Sequence, residues 1–437
     1  MLKYLIETTE SLMTAGLLIG LILGFAGSAC GLFSQQKAGL IAAQNGKTAR
    51  RILGIGVCAG LIAAGVMAYL KNATRKIDTS LWNLRNFTAS LVILLLFFIL
   101  WAIRSGLQKK KPAAARVLEA AAVCLLALLE ISFLLYALPD SLGAPYVILM
   151  TEKSVLSTNF LYKLTGILLG LLLVFLAGLA VKSCTQRLRP KQATLLMSLA
   201  LIVNAVRQVT VCLRIMLTKR IIASNKTLFE ISKFSSNHDK LFLYLVMAAA
   251  AIVPLLLWLH SLNVKEPYNT SAEHRKIRWK WKVSRRWSAL AGICLVFTVF
   301  SFVILKPITT RAVELSPVED AEVRDGAVYV PFERVEDGHL HRFGYVTEGG
   351  TQIRFIVIKK PNSSSYGIGL DACDICGETG YYEKDGQVVC KLCDVVMNIN
   401  TIGFKGGCNP IVIEYRLENG NIIVPVESLL EYEKEFK

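Results

Sequence analysis

The chain has 437 residues, 54% of them hydrophobic, a mean hydropathy of +0.48 and a formal net charge of +17. A purely soluble globular protein does not carry so apolar a composition, which excludes that class. The charge is divided: residues 1–306 hold 36 Lys+Arg against 11 Asp+Glu, and residues 307–437 hold 13 against 21. The basic surplus sits in short loops between apolar runs, so the positive-inside effect accounts for it without a nucleic-acid partner.

Eight runs approach the roughly 20 residues a helix needs to cross a bilayer. They fall at about 11–33, 52–70, 87–107, 117–138, 159–181, 192–217, 241–263 and 287–306. MLKYLIETTE precedes the first run and is not a basic leader, and no A-x-A-like site follows, so this run is expected to be a retained helix. Loops 34–51, 104–116, 182–191 and 264–286 carry 21 Lys+Arg; the alternate set 1–10, 71–86, 139–158 and 218–240 carries 11. Placing the richer set in the cytoplasm puts both termini outside.

Ionisable and amide side chains within the spans are the candidates for function there, because hydrocarbon tolerates them poorly. Glu130 lies deep in the fourth run, and the sixth carries Asn204, Arg207, Gln208 and Arg214 near one helical face, which should point into the bundle or a wet cavity. A Glu130–Arg207 ion pair is the structural expectation; an ion or quinone-associated site is the functional one. No span carries the Arg-Glu-x-x-Glu pattern of iron permeases. The cysteines at 30, 58, 124, 184, 212 and 294 are expected to behave as small apolar residues.

A composition shift near Pro307 marks the domain boundary, 1–306 helical and 307–437 of soluble composition. Past it, GAVYVPFERV (326–335), HLHRFGYVTE (339–348) and TQIRFIVIKK (351–360) read as strands separated by DG and GG dipeptides. NIIVPVESLLEYEKEF (421–436) starts as a strand and ends as a short helix. The expected fold is therefore a polytopic α-helical membrane domain followed by a small β-rich metal-binding domain.

Five of the eleven cysteines fall within residues 371–410. Cys373-x2-Cys376 and Cys390-x2-Cys393 form two knuckles, each a tight turn that brings two sulfurs to one point, and four thiolates complete a tetrahedral metal site. Gly377 follows the first knuckle where the chain must turn back, and GYYEKDGQVV between the knuckles reads as a hairpin turning at Asp385–Gly386. Disulfides, or a redox-active dithiol, are the alternatives for the same cysteines. Cys408 is a fifth sulfur whose role stays open: cluster ligand, ligand of a second metal, or buried thiol. His341 is a further candidate ligand, since His339 and His341 alternate onto one strand face. Met397 is read as core, and without C-x-x-C-H a covalent haem is not expected.

RFIVIKK, DACDICGETGYY, VVCKLCDVVMNINTIGFKGGCNP and the upstream GHLHRFGYV occur in an order that resembles the C-terminal domain of the FtrD-like family of bacterial membrane iron–sulfur proteins. The resemblance covers most of residues 325–415. It implies that Cys373, Cys376, Cys390, Cys393 and Cys408 are the functional set, with His341 an addition, and that the cofactor is an iron–sulfur cluster. It also implies a multi-pass protein of the bacterial cytoplasmic membrane, partnered by lipid, an iron permease and a periplasmic iron-binding protein. The C-x2-C-x2-C-x3-C-P run of bacterial ferredoxins is absent, and a mononuclear iron or zinc site fits the spacing. The expected function is an accessory component of bacterial iron uptake acting in electron transfer or metal handling. A membrane protein with a structural zinc docking domain and an extracytoplasmic thiol–disulfide oxidoreductase follow in that order.

Overall fold

The computed structural model describes residues 1–30, 47–71, 77–108, 110–146, 158–223, 225–262, 266–309, 314–361, 363–384, 386–393, 395–406 and 408–436. It forms two compact units, one helical and one β-rich. The helical unit runs α1 Leu2–Ser28, α2 Lys47–Tyr69, α3 Thr79–Leu107, α4 Pro112–Gly143, α5 Thr158–Thr185, α6 Pro190–Thr218, α7 Lys226–Asn237, α8 Asp239–Leu262 and α9 Ser271–Phe300. The last continues through a π-turn, Ser301–Leu305, into α10, Lys306–Thr309. Eight of these helices are long and apolar enough to cross a bilayer, matching the eight runs in number and order.

Local signals explain the ends. Asp78 caps α3 by accepting from the Ser80 and Leu81 amides, at 2.9 and 3.2 Å. Prolines open α4 and α6, where a missing N–H removes nothing from the helix. α9 starts about sixteen residues before its apolar run, because Thr270 and Glu273 form a capping box and the basic stretch 274–286 is helical. The amphipathic α7 was not visible as an apolar run. Its start is fixed by the Asn225 side chain, which accepts from the Leu228 amide at 2.9 Å, and Phe229 and Phe234 stay exposed.

The tightest packing in this unit is between α1 and α5. Gly16, Gly20 and Gly24 recur every fourth residue along α1 and face Val174, Gly178 and Thr185 of α5. A Cβ built on Gly20 would lie 2.5 Å from the Gly178 carbonyl oxygen, and one on Gly178 would lie 2.7 Å from that of Gly16. Where lipid supplies no hydrophobic drive between helices, this close backbone approach is what van der Waals attraction acts on.

The polar face of α6 does turn inward. Asn204 and Gln208 are buried and, with Ser11, Thr14 and Tyr136, line a cavity of ≈ 20 Å³, which adjoins a wider one of ≈ 360 Å³. The expected Glu130–Arg207 pair does not form. Arg207 instead donates to Asp239 at the start of α8, through Nε at 3.1 Å and Nη2 at 3.2 Å, and lies over the Tyr136 ring. Glu130 is fully buried on α4, and neither carboxyl oxygen has a hydrogen-bond partner among the described residues. Arg214 reaches Ser236 of α7 at 3.2 Å. Four of the scattered cysteines are buried and two, Cys58 and Cys124, are exposed; all are free thiols.

The β-rich unit holds three antiparallel sheets. The first has order β1-β2-β10-β9, from Glu322–Arg324, Ala327–Pro331, Asn421–Pro425 and Arg416–Glu418. The second has order β3-β4-β5, from His341–Val346, Gln352–Lys359 and Tyr366–Leu370; the third has order β6-β7-β8, from Tyr381–Lys384, Gln387–Cys390 and Val396–Met397. The three expected strand segments and the strand-to-helix ending, completed by α11 at Val426–Leu430, are all present. The fully buried β5 was missed because it is short and carries two glycines. One core fills the space between the first two sheets around Val328, Phe343, Phe355 and Val424. A second, around Ile356, Ile358, Tyr381, Val388 and Met397, includes Cys373 and Cys390 and confirms the core reading of Met397. Asp385 of the expected hairpin turn lies outside the described residues; Gly386 beside it adopts φ 71°.

Replacing Gly20 with Leu is expected to force α1 and α5 apart, at a cost of about 1–3 kcal/mol. The full chain in detergent should then melt at lower temperature, whereas Gly54→Leu, at a position where a Cβ meets nothing within 4 Å, should leave the melt unchanged.

Candidate metal centre

The five cysteines come from three separate loops. In the first, the Cys373 and Gly377 backbones bond each other, at 2.9 and 3.2 Å, and the Cys376 amide points at the Cys373 sulfur, at 3.1 Å. Gly377 takes φ 64°, as a reversing knuckle requires. In the second, the Cys390 amide donates to the Val395 carbonyl at 2.9 Å, closing the turn that carries Cys393. In the third, the chain beyond Cys408 runs along β5 through Leu370 N to Ile411 O, 2.8 Å, and Ile411 N to Ala372 O, 3.0 Å. Gly406 in this loop has φ 121°, and Gly407 beside it lies outside the described residues.

These loops bring all five sulfurs together. Those of Cys373, Cys376 and Cys408 lie within 4.8 Å of one another, as do those of Cys376, Cys390 and Cys393. The two groups share Cys376 and touch again at Cys393 Sγ–Cys408 Sγ, 3.6 Å. A metal held tetrahedrally at about 2.3 Å from each thiolate separates its sulfurs by about 3.8 Å. The spacing and the all-sulfur donor set therefore fit a thiolate-bound metal of the iron or zinc kind.

Protons are unequally shared among these thiols. Burial works against ionisation of Cys393, yet hydrogen bonds from the Val395 amide and from the Cys390, Cys408 and Cys376 thiols hold it below the ordinary value. Burial, then its hydrogen bonds to Cys393 and Cys390, push Cys376 well up. Burial and its hydrogen bond to Cys393 push Cys408 up to about 11, and burial raises Cys390 against the pull of the Cys393 and Leu392 amides. One thiolate is thus favoured at the exposed Cys393, while burial first and then neighbouring sulfurs oppose those at Cys376, Cys390 and Cys408. A cation removes that opposition, so metal binding here would release protons.

Beneath the sulfurs lies a charged network that spacing in the sequence did not reveal. Asp371, two residues before Cys373 and fully buried, accepts through one oxygen from Arg342 Nε at 2.8 Å and Arg354 Nε at 3.2 Å. Its other oxygen accepts from the Tyr381 amide at 2.9 Å. Arg342, 1% exposed, also donates to the Tyr381 carbonyl, the Ser316 carbonyl and, at 2.6 Å, the Ser316 hydroxyl. The Tyr381 hydroxyl in turn donates to the Cys408 carbonyl at 2.6 Å. Gly380 is required beside it: at φ 80° a Cβ would sit 2.8 Å from Asp371 Oδ2. The available signals were the acid in DAC and an arginine alternating with apolar residues in HRFGYV.

His341 does not join the sulfurs among the described residues. Its Nδ1 faces Glu319 Oε1 at 2.8 Å and its Nε2 faces Asp337 Oδ1 at 2.9 Å, so both ring nitrogens are already engaged. His339 precedes β3 rather than sharing its face and pairs with Glu383 at 2.9 Å. Exposed apolar side chains mark the knuckle tips: Ile375 at 68%, Leu392 at 61% and Phe404, in the third loop, at 61%.

The fold and site define a multi-pass membrane protein carrying a β-rich domain with a five-cysteine cluster. Residues 335–436 match the family model described as membrane iron-sulfur containing protein FtrD-like, so the C-terminal region of this chain is similar to that family. No curated protein and no solved structure matches the chain.

Two outcomes follow from the network and from His341. Asp371→Ala strands the buried Arg342 guanidinium and should cost about 3–5 kcal/mol, read as faster hydrogen exchange in β3, β5 and β6 of the full-length protein. For His341, burial lowers proton affinity, but Asp337 and Glu319 more than offset it, so the folded value is raised. The stabilisation is then complete below the unfolded value of about 6.5 and is lost as pH rises through the folded one. Exchange in β3 should quicken over that rise, and His341→Gln should flatten the dependence.

Proposed function

We propose that the C-terminal domain holds a redox-active iron centre, mononuclear or iron–sulfur, on the extracytoplasmic side of a bacterial cytoplasmic membrane. There it would serve iron uptake by passing electrons or metal to an iron permease and a periplasmic iron-binding protein. The observation that carries this reading is the convergence of Cys373, Cys376, Cys390, Cys393 and Cys408 from three loops onto one point. Bound iron would supply one-electron chemistry. The chain's own contribution is to fix the sulfurs and to aim backbone N–H groups at Cys373 and Cys393, which favours the more negative form of such a centre. Ile375, Leu392 and Phe404 offer an apolar surface beside the exposed Cys393 on which a partner could seat.

A closed zinc site that only braces a docking domain is the second reading, and the single-ion sulfur spacing favours it. The full-length protein, purified anaerobically, separates the two by elemental analysis and a visible spectrum. Iron with charge-transfer bands that bleach on reduction supports the redox centre; colourless protein with about one zinc per chain supports the brace. Cys376→Ala, which removes the sulfur common to both groups, should abolish stoichiometric metal in either case. Retention of full metal in that variant would place the centre elsewhere.

A further inference from the structure

We propose that the helical unit carries a dedicated site for an anionic phospholipid, with one acyl chain lying in a groove between α1, α2, α4 and α5 and the headgroup phosphate on Lys182. The groove encloses ≈ 380 Å³ and is lined almost wholly by aliphatic and aromatic side chains, among them Leu23, Leu61, Leu138, Val174 and Phe175. At about 30 Å³ for a water-sized group, that is room for roughly a dozen methylenes. Its rim faces outward, with Leu61 47% and Phe175 65% exposed. Its floor follows the close α1–α5 contact, where Gly16, Gly20 and Gly178 line it without side chains of their own.

Lys182 is the one charged residue in the lining. Its ammonium makes no ion pair or hydrogen bond among the described residues. Glu130 on α4 is close enough to feel its charge but does not pair with it. A bare ammonium at the end of an apolar groove calls for an anion, and the long lysine stem lets it reach toward the headgroup level. The surroundings agree. Gly27 near the end of α1 faces Gln186, just past α5, and the Arg50 side chain of α2, Arg187 and Arg189 follow Gln186, and 182–191 contains no acidic residue. An aliphatic slot ending in a basic corner matches a membrane lipid with an anionic head and not a zwitterionic one.

The test uses the full chain with Leu61→Trp as a rim reporter, reconstituted in bilayers of phosphatidylglycerol and phosphatidylcholine with brominated acyl chains on one lipid at a time. Brominated phosphatidylglycerol should quench the added tryptophan fluorescence at roughly fivefold lower mole fraction than brominated phosphatidylcholine, the preference one ammonium–phosphate contact supports. Lys182→Gln should bring the two curves together while the melting temperature stays put. Native mass spectrometry should show a retained phosphatidylglycerol adduct in the parent protein, lost in Lys182→Gln. Equal quenching by both lipids, an unchanged preference in Lys182→Gln, or a retained free fatty acid in place of the phospholipid would each overturn the proposal.

Discussion

One buried carboxylate organises the C-terminal domain. Asp371 accepts from two guanidiniums and from the Tyr381 amide, and each of these ties down a different part of the cysteine cluster. Arg342 anchors β3 to the start of the third sheet, Arg354 anchors β4 and donates to the Glu378 carbonyl at 2.7 Å, and Tyr381 passes the constraint to Cys408 through its hydroxyl. A charge this deep is tolerated because both its oxygens are hydrogen-bonded, one of them to two guanidiniums. The same saturation makes the geometry of the loops above it specific, since none can shift without leaving a buried charge bare.

What sits on that base is a set of five thiols converging from three loops. An amide and three thiols hold Cys393 below the ordinary value, while burial, and then their hydrogen bonds to Cys393, raise Cys376 and Cys408. Such an arrangement is poor as five independent thiols and good as the first coordination sphere of a cation. Two groups of three sulfurs share Cys376, so the five cysteines offer one donor more than the four a tetrahedral ion takes.

The helical unit obeys a different constraint. In hydrocarbon, association depends on close backbone contact, and the α1–α5 pair achieves it with glycines at every fourth position. The polar residues in the spans are dealt with one by one: Arg207 is neutralised by Asp239, Arg104 by Glu119 at 2.6 Å, and Asn204 and Gln208 face a small cavity. Glu130 and Lys182 stand apart, neither side chain with a hydrogen-bond partner among the described residues.

The eight spans, the β-rich nature of the tail and the five-cysteine set were legible in the sequence, because each rests on short-range pattern. Twenty apolar residues make a span whatever they pack against, and C-x2-C makes a knuckle by local turn geometry alone. Two kinds of feature were not legible. Partner choice across long separations was the first: Arg207 with Asp239 rather than Glu130, and His341 with two carboxylates rather than with the sulfurs, because a strand face or a helix face says which way a side chain points and not what it meets. The second was the support beneath the site. Arg342 lies 29 residues from Asp371 and 39 from Tyr381, and none of the three stands out in the sequence. Only the packing of three sheets brings them together, and only burial turns their ordinary charges and amides into the framework that holds Cys408 beside Cys393.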